Sequence, residues 1–124
     1  MTHDELSVDI KIEQNGSAVV FRLRGCLDLA TSPSVRAALL ESANDGKHEI
    51  IVDLTQLEFI DSTGLGALIG AHRRATEHGG RVALIVADGP IARLLNITGL
   101  IRIFGVYGNL ADALADKARL PASI

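Results

Sequence analysis

Asp61-Ser62-Thr63-Gly64 sets two hydroxyls beside a carboxylate, with a second glycine close by at Gly66. Three chemistries could use such a cluster: a nucleophilic serine, a turn that cradles phosphate, or a hydroxyl that accepts a phosphoryl group. A hydrolase elbow reads Gly-x-Ser-x-Gly, but here Ile60 occupies the first position. His72 lies ten residues on, about 15 Å along a helix, too far to take the Ser62 proton. Gly64, Gly66 and Gly70 miss the dinucleotide-binding spacing by one position, and no Walker lysine follows. Enzymatic and nucleotide-binding readings are therefore set aside. Ser and Asp at a helix start ordinarily act as caps. Two glycines in a first helical turn cost about 0.5–1 kcal/mol each relative to Ala. They fit either a partner reaching Ser62 or close helix–sheet packing, and both readings stand.

The elements around this cluster follow from periodicity. Val8, Ile10 and Ile12 alternate with charged residues, and Val19, Phe21 and Leu23 alternate again beyond Asn15-Gly16, which predicts an antiparallel hairpin. Ser32, as cap, and Pro33 open a helix carrying Val35, Ala38, Leu39 and Ala43, closed at Asn44-Asp45-Gly46. Ile50-Ile51-Val52 reads as a buried strand continuing toward Ile60. A helix then runs from the Asp61 cluster through Leu65, Leu68, Ile69 and Ala75 to Gly79-Gly80. Val82–Val86 is a strand, and Asp88 is expected to cap a helix holding Ile91, Leu94 and Leu95 that stops at Thr98-Gly99. Ile103–Val106 is a last strand, and Asn109 caps a final helix reaching Ala118. The order β-β-α-β-α-β-α-β-α implies an α/β fold with a mostly parallel sheet of about five strands, an N-terminal hairpin and about four helices.

The 124 residues suit one domain, and with three Phe, one Tyr and no Trp its core must be aliphatic. A net charge of −3 without a basic run excludes a direct nucleic-acid binder. The single cysteine, Cys26, admits no internal disulfide or Cys metal cluster and reads as a half-buried strand-end thiol in a reducing compartment. The N-terminus lacks a signal-peptide pattern and no apolar run approaches a membrane span, so a cytoplasmic protein with no membrane role is expected. The four histidines are expected in solvent, Arg73-Arg74 on a wet helix face, and Phe59 and Phe104 in the core. Few exposed apolar cues make a monomer the default.

The stretch Asp53-Leu54-Thr55…Phe59-Ile60-Asp61-Ser62-Thr63-Gly64-Leu65-Gly66 closely resembles the signature of the STAS family, the sulfate-transporter and anti-sigma-antagonist domain. Gly25-Cys26-Leu27-Asp28-Leu29-Ala30-Thr31 is similar to its loop after the second strand, Leu94–Leu100 to its third-helix terminus, and Asn109–Leu114 to its last helix. The resemblance implies a single STAS domain over 2–118, with 119–124 a frayed tail. It also implies an anti-sigma factor antagonist rather than an enzyme, with no cofactor. In such proteins the serine matching Ser62 is phosphorylated by an anti-sigma factor that is itself a serine kinase. The unphosphorylated form binds that kinase and frees the sigma factor, and a serine phosphatase removes the mark. Thr63 departs from the commoner second serine, which leaves Thr63 as the other candidate acceptor. Asp28, Asp61, Thr63, Gly64, Leu65 and Gly66 are then the expected partner-binding residues, with Asp28 either orienting the serine, meeting basic groups of the kinase, or serving as a turn aspartate. Asp53 is expected to fix strand-end backbone. The alternative is a non-switching STAS module, a stress-sensing scaffold or a lipid-transporter accessory subunit.

Overall fold

The computed structural model describes residues 7–46 and 49–116, which form one five-stranded sheet and four helices. The strands are β1 (Val8–Asn15), β2 (Ala18–Leu27), β3 (Glu49–Ile60), β4 (Arg81–Ile85) and β5 (Gly105–Tyr107). They lie side by side in chain order, β1 antiparallel to β2 and the remaining neighbours parallel. The helices are α1 (Ser32–Asn44), α2 (Ser62–Glu77), α3 (Pro90–Thr98) and α4 (Leu110–Ala115), with a 3-10 turn at Leu100–Arg102. His3, His48, Ala118 and the tail 119–124 lie outside the described residues.

Alternate strand residues feed opposite faces. Val19, Phe21, Leu23, Ile50 and Val52 meet Val35 and Leu39 of α1, Leu68 and Ala71 of α2, and Leu95 of α3 in the larger core. Ala18, Val20, Ile51, Ala83 and Ile85 form a smaller core with Ala113 of α4. Val20 is thus buried, and the expected wet face of the hairpin is confined to the outer half of β2 and to β1.

Several local expectations change. The hairpin turn is Gly16-Ser17, because Asn15 still pairs with Ala18 and Gly16 takes φ 62°, the place for glycine in a type II′ turn. Ser32 is buried inside α1 and Thr31 is its boundary residue without a side-chain cap. Asp88 does not cap α3, since Gly89 at φ 150° precedes Pro90 in the first turn. The left-handed Gly99 does end α3, at φ 80°. Leu100–Arg102 winds into the 3-10 turn, which delays β5 to Gly105 and leaves Ile103 outside it. Asn109 caps α4 as expected, its Oδ1 accepting the Asp112 N–H at 2.8 Å.

Phe59 is the largest departure in the core, 51% exposed, whereas Phe104 is buried as expected. β3 has twelve residues and β4 five, so β3 beyond Asp53 pairs with β2 alone. Its register against β2 shifts twice in that stretch, between Arg22 and Arg24 and between Gly25 and Cys26. Each extra β3 residue reverses the faces of those that follow. Leu57 and Ile60 consequently point inward while Phe59 points out. Asp53 fixes the first irregularity rather than a strand end, its Oδ1 accepting from the Thr55 N–H at 2.9 Å and hydroxyl at 2.7 Å.

Candidate functional site

The ends of β2 and β3 are neighbours, Leu27 beside Ile60, so the loop after each strand meets the other. The Asp61 N–H donates to the Leu27 carbonyl at 3.2 Å. Asp61 is the cap of α2. Its Oδ1 accepts from the Thr63 N–H at 2.9 Å, the Gly64 N–H at 3.0 Å and the Thr63 hydroxyl at 2.5 Å. The Leu29 N–H of the neighbouring loop also lies near enough to favour the charged carboxylate. The Thr63 hydroxyl first, and these backbone donors after it, hold the Asp61 carboxyl below its ordinary range.

Ser62 is the first residue of α2, and it is exposed. Its hydroxyl makes no hydrogen bond among the described residues, whereas the half-buried Thr63 hydroxyl is committed to Asp61. Two adjacent hydroxyls of the same helix turn are thereby made unequal.

The two glycines divide the alternatives left open by their spacing. A Cβ on Gly64 would stand 2.7 Å from the Leu27 carbonyl oxygen and 2.8 Å from the Ile60 side chain, so this residue serves close helix–sheet packing. A Cβ on Gly66 would meet nothing within 4 Å, and Gly66 is exposed one turn beyond Ser62. Leu65 is half-buried against the larger core.

Asp28 sits in the turn between β2 and α1. Its Oδ1 accepts from the Ala30 N–H at 3.0 Å and the Thr31 N–H at 3.1 Å. The Thr31 hydroxyl accepts the Asp28 N–H at 2.9 Å and donates to the Cys26 carbonyl at 2.7 Å. The carboxylate shapes its own turn, and no hydrogen bond joins it to Ser62. Gly25 enables the strand to enter this turn: φ is 108°, and a Cβ would fall 2.3 Å from the Ser7 carbonyl oxygen. Cys26 is half-buried as expected, and burial pushes its thiol up, with Glu58 and Asp28 adding to the effect.

Two site residues escaped the sequence reading. Leu29, 73% exposed, follows Asp28, and its N–H lies near Asp61; Phe59, 51% exposed, precedes Asp61 by two positions. Together they place apolar side chains beside the polar Asp61-Ser62-Thr63 turn. No alternation pattern could reveal Phe59 without the β3 register shifts.

His72 is a second correction, because it is not in solvent. Its Nδ1 accepts the Val82 N–H at 3.0 Å, and the ring meets Phe104 edge-on at 5.2 Å between centroids. Burial, with the Arg81 charge nearby, depresses its pKa. His78 is exposed. Among the described residues no group of three or more His, Cys, Asp or Glu could hold a metal, and no helix is long and apolar enough to cross a membrane.

Residues 9–113 match the family model of the STAS domain. The anti-sigma F factor antagonist of Paenibacillus polymyxa is 33% identical over 112 residues, spanning 90% of this chain and 96% of that protein. The crystal structure of an anti-sigma factor antagonist from Mycobacterium paratuberculosis superposes with a TM-score of 0.82 at 24% identity, over 90% of this chain and 94% of that one. The Bacillus cell fate determinant SpoIIAA in the phosphorylated form superposes with a TM-score of 0.68 at 25% identity, over 90% of this chain and all (100%) of that one.

Proposed function

We propose that this chain, which belongs to the STAS domain family, is a cytoplasmic anti-sigma factor antagonist whose binding is switched at Ser62. Unphosphorylated, it binds a kinase-type anti-sigma factor and releases the sigma factor; phosphorylated at Ser62, it lets go; a serine phosphatase restores it. The observation that carries this reading is the inequality of the two hydroxyls. Ser62 is exposed and unbonded at the start of α2, while Thr63 is spent on the Asp61 cap. The names of the relatives support the partner class.

The switch in this reading is intermolecular. A helix start offers free N–H groups and partial positive charge that suit an anion. Here the Asp61 carboxylate already takes the N–H groups of Thr63 and Gly64. A phosphate on Ser62 therefore stays outside the fold, beside a carboxylate, carrying about −1.5 to −2 charges. Any partner seated on Ser62, Gly66, Leu29 and Phe59 has to desolvate it. A cost of about 4 kcal/mol weakens binding roughly a thousandfold. In the same reading Asp28, Asp61, Thr63, Gly64 and Leu65 shape the surface that Ser62 and Gly66 present, and Asp28 offers its outer carboxylate oxygen to basic groups of the kinase.

The test is incubation with each anti-sigma kinase of the source genome, with ATP and magnesium, read by intact mass. One added phosphate, retained in Thr63→Val and absent in Ser62→Ala, is expected. Phosphate on Thr63 alone would overturn the assignment. Tight binding to a kinase without phosphate transfer would instead identify a non-switching module.

A further inference from the structure

β1 is an edge of the sheet, eight residues long without proline, paired with β2 along its whole length. The direction of its free backbone groups can be read from two ends. The Cys26 N–H donates to the Ser7 carbonyl at 3.0 Å, and Asn15 pairs with Ala18 across a two-residue turn. Hydrogen-bonded pairs alternate in an antiparallel ladder. The odd-numbered residues of β1 therefore bond β2, and Val8, Ile10, Ile12 and Gln14 turn their N–H and C=O groups to the open edge.

The side chains of this edge leave two things uncovered. Ile12 is 54% exposed on the helix-bearing face, in line with half-buried Val8 and Ile10. On the opposite face Lys11 stands directly across from Arg22, a like-charge pair. Arg22 is held by Glu13 at 2.8 Å and Asp53 at 3.1 Å, and Arg24 by Asp9 at 2.9 Å. Lys11 makes no salt bridge among the described residues. Asp9, Lys11, Arg22, Arg24 and Asp53 border a groove of about 550 Å³ on that face.

We propose that two copies of this chain pair antiparallel along β1, about a two-fold axis through Ile10. A two-fold edge pairing presents the same strand from both sides, so its register must be self-complementary. An axis at Lys11 sets Lys11 against Lys11 and Asp9 against Glu13. An axis at Ile12 pairs Lys11 with Glu13 but sets the apolar Ile10 against Gln14 and leaves Val8 without an apolar partner. The axis at Ile10 sets Val8 against Ile12, Ile10 against Ile10, and Asp9 against Lys11 twice. It covers the exposed Ile12 with an apolar neighbour and sets Lys11 against Asp9, whose pair with Arg24 is more exposed than the pair of Glu13 with Arg22. The result is one ten-stranded sheet with the α1, α2 and α3 helices of both copies on one side and the two α4 helices on the other. Because the paired strands run oppositely, the two Ser62 surfaces face opposite ends, and each remains open to a partner.

Sedimentation equilibrium on the full chain tests this without any partner protein, so the outcome is independent of the Ser62 switch. Reversible dimerisation is expected for the wild type. Lys11→Asp and Asp9→Lys should each weaken it about tenfold or more, and the double swap Asp9→Lys/Lys11→Asp should return it to within about threefold of wild type. A wild-type chain that stays monomeric at high concentration, or a dimer indifferent to these charges, overturns the proposal. The register has its own check in a Cys26→Ala background. Mixed Asp9→Cys and Lys11→Cys chains should form the hetero-disulfide on mild oxidation, because an unbonded antiparallel pair brings Cα atoms to about 4.5 Å. A Lys11→Cys homodimer in its place would overturn the Ile10 axis.

Discussion

The two ends of the parallel strands are built on opposite principles. At the C-terminal ends of β2 and β3, Asp61, Ser62 and Asp28 stand in or near water, and the carboxylates of Asp61 and Asp28 close short turns within a few residues of themselves. At the N-terminal ends of β3 and β4, Glu49 and Arg81 are buried at 2% and 6% exposure and joined at 2.5 Å. Arg81 there also donates to the Tyr107 hydroxyl at 2.9 Å and the Ala113 carbonyl at 3.1 Å, and Tyr107 in turn donates to Asp116. This network ties β3, β4, β5 and α4 together across more than sixty residues of sequence. One end holds the fold, the other presents a surface, and the strands between them keep the two apart.

That contrast is open to direct challenge. The largest effect is expected at the sealed end. Arg81→Met takes the guanidinium away from the buried Glu49 carboxylate and should cost about 3–5 kcal/mol in urea unfolding. Ser62→Ala at the open end should shift the same measurement by less than about 0.5 kcal/mol. Equal losses from the two would mean that the ends are not energetically separate.

Next in size is the pair of glycines on α2. Gly64→Ala forces a methyl against the Leu27 carbonyl and Ile60 and should destabilise by about 1–3 kcal/mol. Gly66→Ala meets open space and should be neutral or stabilising by up to about 1 kcal/mol, since alanine suits a helix better. If the proposed partner seats on this face, Gly66→Ala weakens its binding while the fold gains. Thermal unfolding and a binding titration on the same samples separate the two effects.

The smallest effect is acid-dependent and belongs to His72. Its folded pKa lies below the ordinary 6.5, so the unfolded chain binds the proton first as pH falls. The stability that neutral His72 contributes is complete above that value and is lost progressively below it. The urea midpoint should therefore fall between pH 7.5 and pH 5.5, and the fall should be shallower in His72→Gln. Parallel curves for wild type and variant would remove His72 from the acid response.

Much of this molecule was legible from local chemistry. Alternation set out the β1–β2 hairpin, β-branched runs marked β3 and β4, and Asp61, Asn109 and Gly99 carry out their punctuation as expected. The Asp53–Gly66 stretch, with three further matching segments, carried the resemblance to the family, and its strand-to-helix turn placed the candidate site. These features depend on periodicity and on contacts within four residues, which a chain specifies wherever it lies. What lay beyond reach depends on neighbours distant in sequence. Glu49 and Arg81 are 32 positions apart, and both look like ordinary surface charges until β3 and β4 align. His72 takes its partner from Val82 in the next strand, and Phe59 leaves the core only because β3 slips against β2. Gly64 and Gly66 are identical in type and adjacent in motif, yet one faces the sheet and the other open space. Sequence alone determined the elements, their order and the cluster at Asp61–Gly66, because each follows from short-range backbone preference. Tertiary structure alone decided which glycine is enclosed and which charges are buried, because those properties belong to the packing of remote segments.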